Sequence, residues 1–205
     1  MRLQSKQCQS RVRGCGWLML IVLLLTAQVG AKEQVRSDWG VRATLLMTLA
    51  YLTKWPPEIL PQPNSPLIIG VLGQDAESAQ LLRALQEKIA RPEQKVKLLK
   101  QLFNRDIQVR ACANTAEAER CHIVYVSFTE KDDWPQILRS LQDKTLITIG
   151  ETEEFARLGG AMSFREGETG RVFWGNLDQV KRLQRENIVI NSELLEPPYV
   201  TFVRR

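Results

Sequence analysis

Apolar residues recur along this chain at two alternating spacings, and the switch between them outlines the fold. Val41, Leu45, Leu49 and Leu52 are spaced by four, four and three, which predicts a helix from Trp39 to Lys54. Trp55-Pro56-Pro57 ends it, because proline lacks a backbone donor and restricts the residue before it. Five prolines within residues 56–66 make a stiff surface connection. Leu67 to Leu72 (LIIGVL) is a short continuous apolar run between Pro66 and Gly73, the mark of a buried strand. A helix carrying Leu81, Leu82, Leu85 and Ile89 follows, then more helix over Pro92 to Phe103, with Val96, Leu99 and Phe103 on one face. Ile107, Val109 and Ala111 alternate as a strand, and Asn114-x-x-Glu117 has the form of a capping box.

The same alternation continues. Ile123 to Val126 is a second fully apolar strand, and Leu146 to Ile149 a third apolar strand. Ser127-x-x-Glu130 is a second capping-box pattern, leading into a helix that buries Trp134, Ile137, Leu138 and Leu141. A short helix runs through Phe155. Ala161–Phe164 and Arg171–Gly175 flank a turn-rich linker at residues 165–170 and predict an antiparallel hairpin at the sheet's edge. A helix from Leu177 to Arg185 turns Leu177, Val180 and Leu183 inward, and Ile188–Ile190 with Leu194-Leu195 complete the core before Pro197-Pro198. Continuous apolar strands alternating with helices predict an α/β domain: a largely parallel sheet with helices on both faces, a Rossmann-like three-layer sandwich. No internal repeat, low-complexity tract or interdomain linker interrupts it.

The N-terminus changes the charge reading. Arg2, Lys6, Arg11 and Arg13 precede an apolar run from Trp17 to Ala27, and Gln28-Val29-Gly30-Ala31 follows. Positive leader, short apolar stretch and small residues together predict a cleavable secretory signal at residues 1–31. The run is short for a spanning helix, and Cys8 and Cys15 lie before it, unlike a lipoprotein cysteine. Residues 32–205 then form a single domain with 24 basic and 23 acidic residues, a net charge of +1 against +5 for the whole chain. That balance argues against nucleic acid as a partner, which demands a surplus of cations.

Candidate chemistry is sparse. Cys112 and Cys121 are the two cysteines beyond the leader, and in an oxidising compartment they suggest a disulfide, with two buried thiols as the alternative. His122, the one histidine, sits before an apolar strand and reads as a packed residue. Its neighbour Cys121 points to the opposite face of an extended chain, which works against a Cys–His pair. No Gly-x-Ser-x-Gly elbow is present, and His and Cys lack zinc-site spacing. Gly70-Val-Leu-Gly73 lacks the third glycine of a dinucleotide turn and the Lys-Ser/Thr of a P-loop, so Gly73 reads as a tight turn. The carboxylates of 151–168 read as a solvated face. No cofactor or metal is expected. Open α/β sheets bind ligands beyond the carboxyl ends of their strands. A small molecule would therefore meet Gln74, Asp75, Ser127, Thr129, Glu130, Gly150, Glu151 and Thr152. Trp55, Trp174 and Tyr199, near segment ends, are candidates for binding a protein partner.

Several pieces in this order resemble the YfiR/HmsC-like periplasmic regulators. They include Tyr51-Leu-Thr-Lys54-Trp55-Pro56, Ile69-Gly-Val-Leu-Gly73, Ile107-Gln-Val109-Arg110 and Cys121-His122-Ile-Val-Tyr-Val-Ser127. Leu146-Ile-Thr-Ile-Gly150, Gly159-Gly160-Ala-Met-Ser-Phe164, Val172-Phe173-Trp-Gly-Asn176 and Ile188-Val-Ile-Asn-Ser192 continue the match. The resemblance implies a non-enzymatic protein of the periplasm that represses a membrane-bound diguanylate cyclase by binding its periplasmic sensor domain. It thereby implies control of cyclic-di-GMP, exopolysaccharide and biofilm, sensitivity to redox state, and homodimers. A periplasmic small-molecule sensor is the alternative. Two departures stand out. The family strand matching 67–72 can carry a cysteine that pairs with the one matching Cys121, and here Gly70 stands there. The basic helical stretch 91–104 is also longer than usual.

Overall fold

The computed structural model describes residues 39–62, 64–164, 173–197 and 199–203. The leader, residues 32–38 and the hairpin linker lie outside the described residues. Residues 39–205 form one compact unit. It opens with helix α1 (residues 39–51) and strand β1 (Thr53–Lys54), followed by β2 (Leu67–Leu72), α2 (Ala76–Ala90), α3 (Gln94–Phe103) and β3 (Ile107–Cys112). Next come α4 (Thr115–Ala118), β4 (Ile123–Val126), a 3-10 turn at Phe128–Glu130, α5 (Trp134–Leu141), β5 (Ile147–Gly150) and α6 (Glu153–Arg157). The last elements are β6 (Met162–Phe164), β7 (Phe173–Asn176), α7 (Leu177–Arg185), β8 (Val189–Ile190), α8 (Ser192–Leu195) and β9 (Val200–Val203).

Seven strands form the main sheet in the order β3-β2-β4-β5-β6-β7-β9. The first five run parallel; β7 is antiparallel to β6, and β9 is parallel to β7. The α/β class is therefore as the sequence implies, with one correction at the edge. The hairpin of β6 and β7 is internal, and β9 closes the sheet beyond it. A separate two-stranded ladder pairs β1 with β8.

Alternation along the strands separates two cores. Leu67, Ile69, Val71, Ile123, Tyr125, Ile147 and Ile149 face one side, where Leu46 and Ala50 of α1, Leu81 and Leu85 of α2, Val96 of α3 and Leu183 of α7 cover them. Leu72, Val124 and Val126 face the other side, against Ala118 of α4, Trp134, Leu138 and Leu141 of α5 and Phe155 of α6. Burial on both faces is why these strands read as unbroken apolar runs.

Several helix phases differ from the periodicity reading. α1 ends at residue 51, not Lys54, and turns Ala43, Leu46, Met47 and Ala50 inward, while Val41 is 54 % exposed. Leu49 of the predicted stripe is fully buried and Leu45 packs on the core, so the packed face is the leucine stripe widened by Ala43, Leu46, Met47 and Ala50, and Val41 falls outside it. Ile89 and Leu177, both read as core, are exposed. Ser127 does cap a helical turn, accepting from Thr129 N at 3.3 Å, but that turn is 3-10 and α5 begins separately at Trp134. Asn114 caps α4 as expected, its Oδ1 accepting from Glu117 N at 3.0 Å, but the return bond is displaced by one residue: Glu117 Oε2 accepts from Ala113 N at 2.9 Å rather than from the cap residue itself.

His122 is a structural residue. It is buried, its Nδ1 accepts a hydrogen bond from Ile68 N at 2.9 Å, and Trp55 packs edge-on against its ring at 5.4 Å. Burial lowers its pKa, the Arg105 charge adds to the lowering, and hydrogen bonding to the Ile59 backbone opposes it. Below about pH 6.5 the unfolded chain takes up a proton that the folded chain refuses, so stability falls as pH drops through that value. Thermal unfolding followed from pH 7.5 to 5.5 should show a falling midpoint, and His122→Asn, which keeps an acceptor near Nδ1, should flatten the profile.

Candidate functional site

Strand order reverses between β2 and its two neighbours β3 and β4, so the crevice between the carboxyl ends of β2 and β4 is the topological switch point. The structure brings Asp75, Ser127 and Thr129 together there. Asp75 caps α2: its Oδ1 accepts from Glu77 N at 2.7 Å and Ser78 N at 2.8 Å. Its Oδ2 accepts from Ser78 Oγ and Thr129 Oγ1, both at 2.8 Å, and the second of these bonds bridges the crevice. Thr129 Oγ1 also reaches Ser127 Oγ at 3.2 Å. Gly73, at φ +143°, makes the turn beneath; a Cβ there would lie 2.4 Å from Ser78 Oγ and 2.7 Å from Ser127 Cβ. Asp75, Ser78, Ser127 and Thr129 thus bond to one another at the mouth of the crevice. Gln74 is exposed beside it, and Glu130 lies half-buried in the 3-10 turn.

Burial pushes the Asp75 carboxyl up, but the Ser78 backbone bond and the Thr129, Ser127 and Ser78 hydroxyls outweigh it and hold the group well below the usual carboxylate range. The ionised form is the one these donors bind. The stability it brings is present above about pH 4 and is lost as pH falls below that. Asp75→Ala should cost about 2 kcal/mol, from a lost helix cap and a lost inter-strand bond, measured by urea unfolding at neutral pH. Asp75→Asn, which retains one acceptor, should cost less.

The second group of rim residues is built into a clamp. Glu151 Oε1 accepts from Arg42 Nη1 at 3.2 Å and from the hydroxyl of fully buried Tyr125. Arg42 in turn lies over the rings of Trp39 at 4.7 Å and Phe164 at 5.5 Å. Gly150 is buried under the Phe155 ring, and Thr152 starts α6 with no side-chain capping bond, its Oγ1 buried without a partner. Sequence reasoning missed Arg42 and Tyr125 as members of this cluster. The signal was an arginine beside the apolar stripe of a helix that packs on the sheet.

The three aromatic candidates do not form one surface. Trp55 lies at the amino end of the parallel strands, held by Nε1 donating to Ala50 O at 3.2 Å and by His122. Trp174 is half-buried within β7, in register with Ser163 and Thr201. Tyr199 is exposed before β9, and its carbonyl accepts from Phe173 N at 2.9 Å. Beside Trp55 the structure opens a groove of about 580 Å³, lined by Tyr51, Lys54, Leu67, Phe103, Arg105 and Val189 among others.

Cys112 ends β3 and Cys121 precedes β4, and their sulfurs face each other at 3.8 Å across Gly70. A Cβ at Gly70 would stand 2.7 Å from Cys121 Sγ and 3.0 Å from Cys112 Sγ. The glycine therefore makes room for both sulfurs. The two thiols share this bond, which lowers the pKa of Cys112, while the same bond, burial and the charge on Cys112 raise that of Cys121. Among the described residues no cluster of three or more His, Cys, Asp and Glu could hold a metal, and no helix is long and apolar enough to cross a membrane.

The fold is a doubly covered α/β sheet whose switch-point side chains Asp75, Ser127 and Thr129 bond to one another. The YfiR/HmsC-like family model matches residues 40–196, and the chain belongs to that family, one of periplasmic regulators rather than catalysts. No curated protein matches the chain. Among solved structures it is similar to a conserved domain protein from Vibrio cholerae O1 biovar El Tor, at 15 % identity over 71 % of this chain and 57 % of that one, TM-score 0.39. It is also similar to an ABC domain in complex with L-Trp from Streptococcus pneumonia, at 15 % identity over 66 % of this chain and 55 % of that one, TM-score 0.36. The chain thus spans a little over half the length of each.

Proposed function

We propose that this protein is exported to the periplasm and there represses a membrane-bound diguanylate cyclase by binding the cyclase's periplasmic sensor domain, lowering cyclic-di-GMP and with it biofilm. Membership of the YfiR/HmsC-like family across residues 40–196 carries this reading, since that span includes every strand except β9. The secretory pattern at residues 1–31 supports it. So does the engagement of the rim residues in capping and clamping bonds. Envelope extract passed over residues 32–205 as bait, with and without reductant, should retain a transmembrane cyclase, and deleting the gene should raise cyclic-di-GMP. Retention of no cyclase under either condition, with cyclic-di-GMP unchanged on deletion, overturns the proposal.

The cysteine pair supplies a redox input for such a regulator. Cys112 and Cys121 each give up a proton and an electron to a disulfide oxidant of the envelope and join as a disulfide, the sulfurs closing from 3.8 Å to about 2 Å. Closing this short loop stabilises the fold by about 2.7 kcal/mol in the chain-entropy model. Protein purified from the periplasm should show neither thiol open to alkylation after denaturation. Reduction should lower its urea midpoint accordingly. Two alkylated cysteines in that sample would refute the bridge.

A further inference from the structure

Helix α3 is the least covered element of the apolar pattern. Val96 is buried and Leu99 half-buried against the core, but Leu98 is 58 % and Leu102 75 % exposed. These two leucines are one turn apart and widen the apolar stripe well beyond what the domain covers. Phe103, at the end of the helix, is also exposed; it stacks on Tyr51 at 6.3 Å and lines the groove that contains Lys54 and Arg105 and no acidic residue.

Charge is concentrated on the same segment. Residues 91–105 hold Arg91, Lys95, Lys97, Lys100 and Arg105 against Glu93 alone, a local net charge of +4. The rest of the chain beyond residue 31 carries 19 basic and 22 acidic residues, a net charge of −3. The domain is therefore polarised, with its positive end where its leucines are uncovered. Lys97 is exposed, and Lys100 pairs with Asp106 at 2.6 Å on the open surface.

We propose that α3 is a peripheral membrane-docking helix, laying Leu98 and Leu102 into the headgroup region of an anionic phospholipid surface while its cations meet the lipid phosphates. Leucines flanked by lysines on a solvent-facing helix suit that environment, where long basic side chains reach the headgroups and the apolar flank sinks below them. The composition does not suit a protein interface, where lysine is depleted and arginine and aromatic residues anchor. The helix also rides on the outside of the domain, which fits a broad, flat partner. This inference stands independently of the cyclase reading: it needs only these residues and a lipid surface.

The test is co-sedimentation of residues 32–205 with vesicles of phosphatidylcholine alone or mixed with phosphatidylglycerol. The leader is omitted because it is itself apolar, and residues 39–205 form their own compact unit. Binding to the anionic vesicles should exceed binding to phosphatidylcholine by about tenfold or more, and the excess should vanish between about 0.1 M and about 1 M salt. Leu98→Ser with Leu102→Ser should lower it about tenfold, and Lys97→Gln with Lys100→Gln by a similar factor. Both pairs are exposed, so the far-UV spectrum should not change. Val41→Ser with Leu177→Ser, which removes exposed apolar residues elsewhere, should leave binding intact. Equal binding to both vesicle types, no binding, or full binding by the Leu98/Leu102 variant overturns the proposal. So does a Leu98/Leu102 defect seen only with a soluble protein partner.

Discussion

Gly150→Ala should cost about 3–5 kcal/mol, the scale of emptying the Phe155 site itself. A Cβ at Gly150 would lie 2.2 Å from Phe155 Cγ, and one at Gly160 would lie 2.2 Å from Phe155 Cε1. The ring is fully buried between the two glycines and meets Trp134 edge-on at 5.1 Å. It has no direction in which to yield, because the second core is closed over it by α5. Phe155→Ala should cost a similar amount through the cavity it leaves. The two changes share one volume, so the double variant should lose much less than the sum of the singles. Urea unfolding of the four proteins measures the coupling; simple additivity would show that the ring can move aside.

The second large effect is expected at the clamp between α1 and the carboxyl end of the sheet. Arg42 and Glu151 side chains retain 14 % and 13 % of their exposure, so the pair is largely withdrawn from water. Glu151→Ala should cost about 3 kcal/mol, because it removes the carboxylate that accepts from both the Arg42 guanidinium and the Tyr125 hydroxyl in a partly buried site. Glu151→Gln keeps an acceptor for Tyr125 and should cost less. Replacing both partners together, as Arg42→Met with Glu151→Leu, should recover part of the loss, since apolar side chains of similar volume carry no desolvation penalty. Chemical denaturation of these variants checks each step. A Glu151→Ala protein of unchanged stability would show that this site is open to water.

The central strands are plain in the sequence because β4 and β5 are buried on both faces, and the one short polar side chain in β5, Thr148, is itself buried and accepts from Ala161 N. β9 was hidden behind Pro197 and Pro198, which read as the end of the core, although Val200 and Val203 are buried. β1 and β8 have two residues each, too few for any period to show. The stripe of α1 is legible at Leu45 and Leu49, which pack on the core, but Val41 near its start is exposed and the buried Ala43 and Ala50 give no apolar signal strong enough to mark the rest of the face. Topology alone places Asp75, Ser127 and Thr129 beyond the carboxyl ends of β2 and β4, and Glu151 and Thr152 beyond that of β5. That Asp75 bonds to Thr129, and Glu151 to Arg42, depends on side-chain directions that spacing does not encode. The groove beside Trp55 draws on residues 50–55, 103–105 and 189–192, which no local motif connects.

The ladder of β1 with β8 joins Thr53 to Ile190 and Lys54 to Val189. The first helix of the domain thus waits for a partner made more than a hundred residues later in synthesis. Until then its apolar face has the sheet to lean on but no tether at its end. Contacts of such long reach slow folding, because a large loop must close before they form. The tether at the end of the first helix is therefore one of the last contacts the folding domain can make.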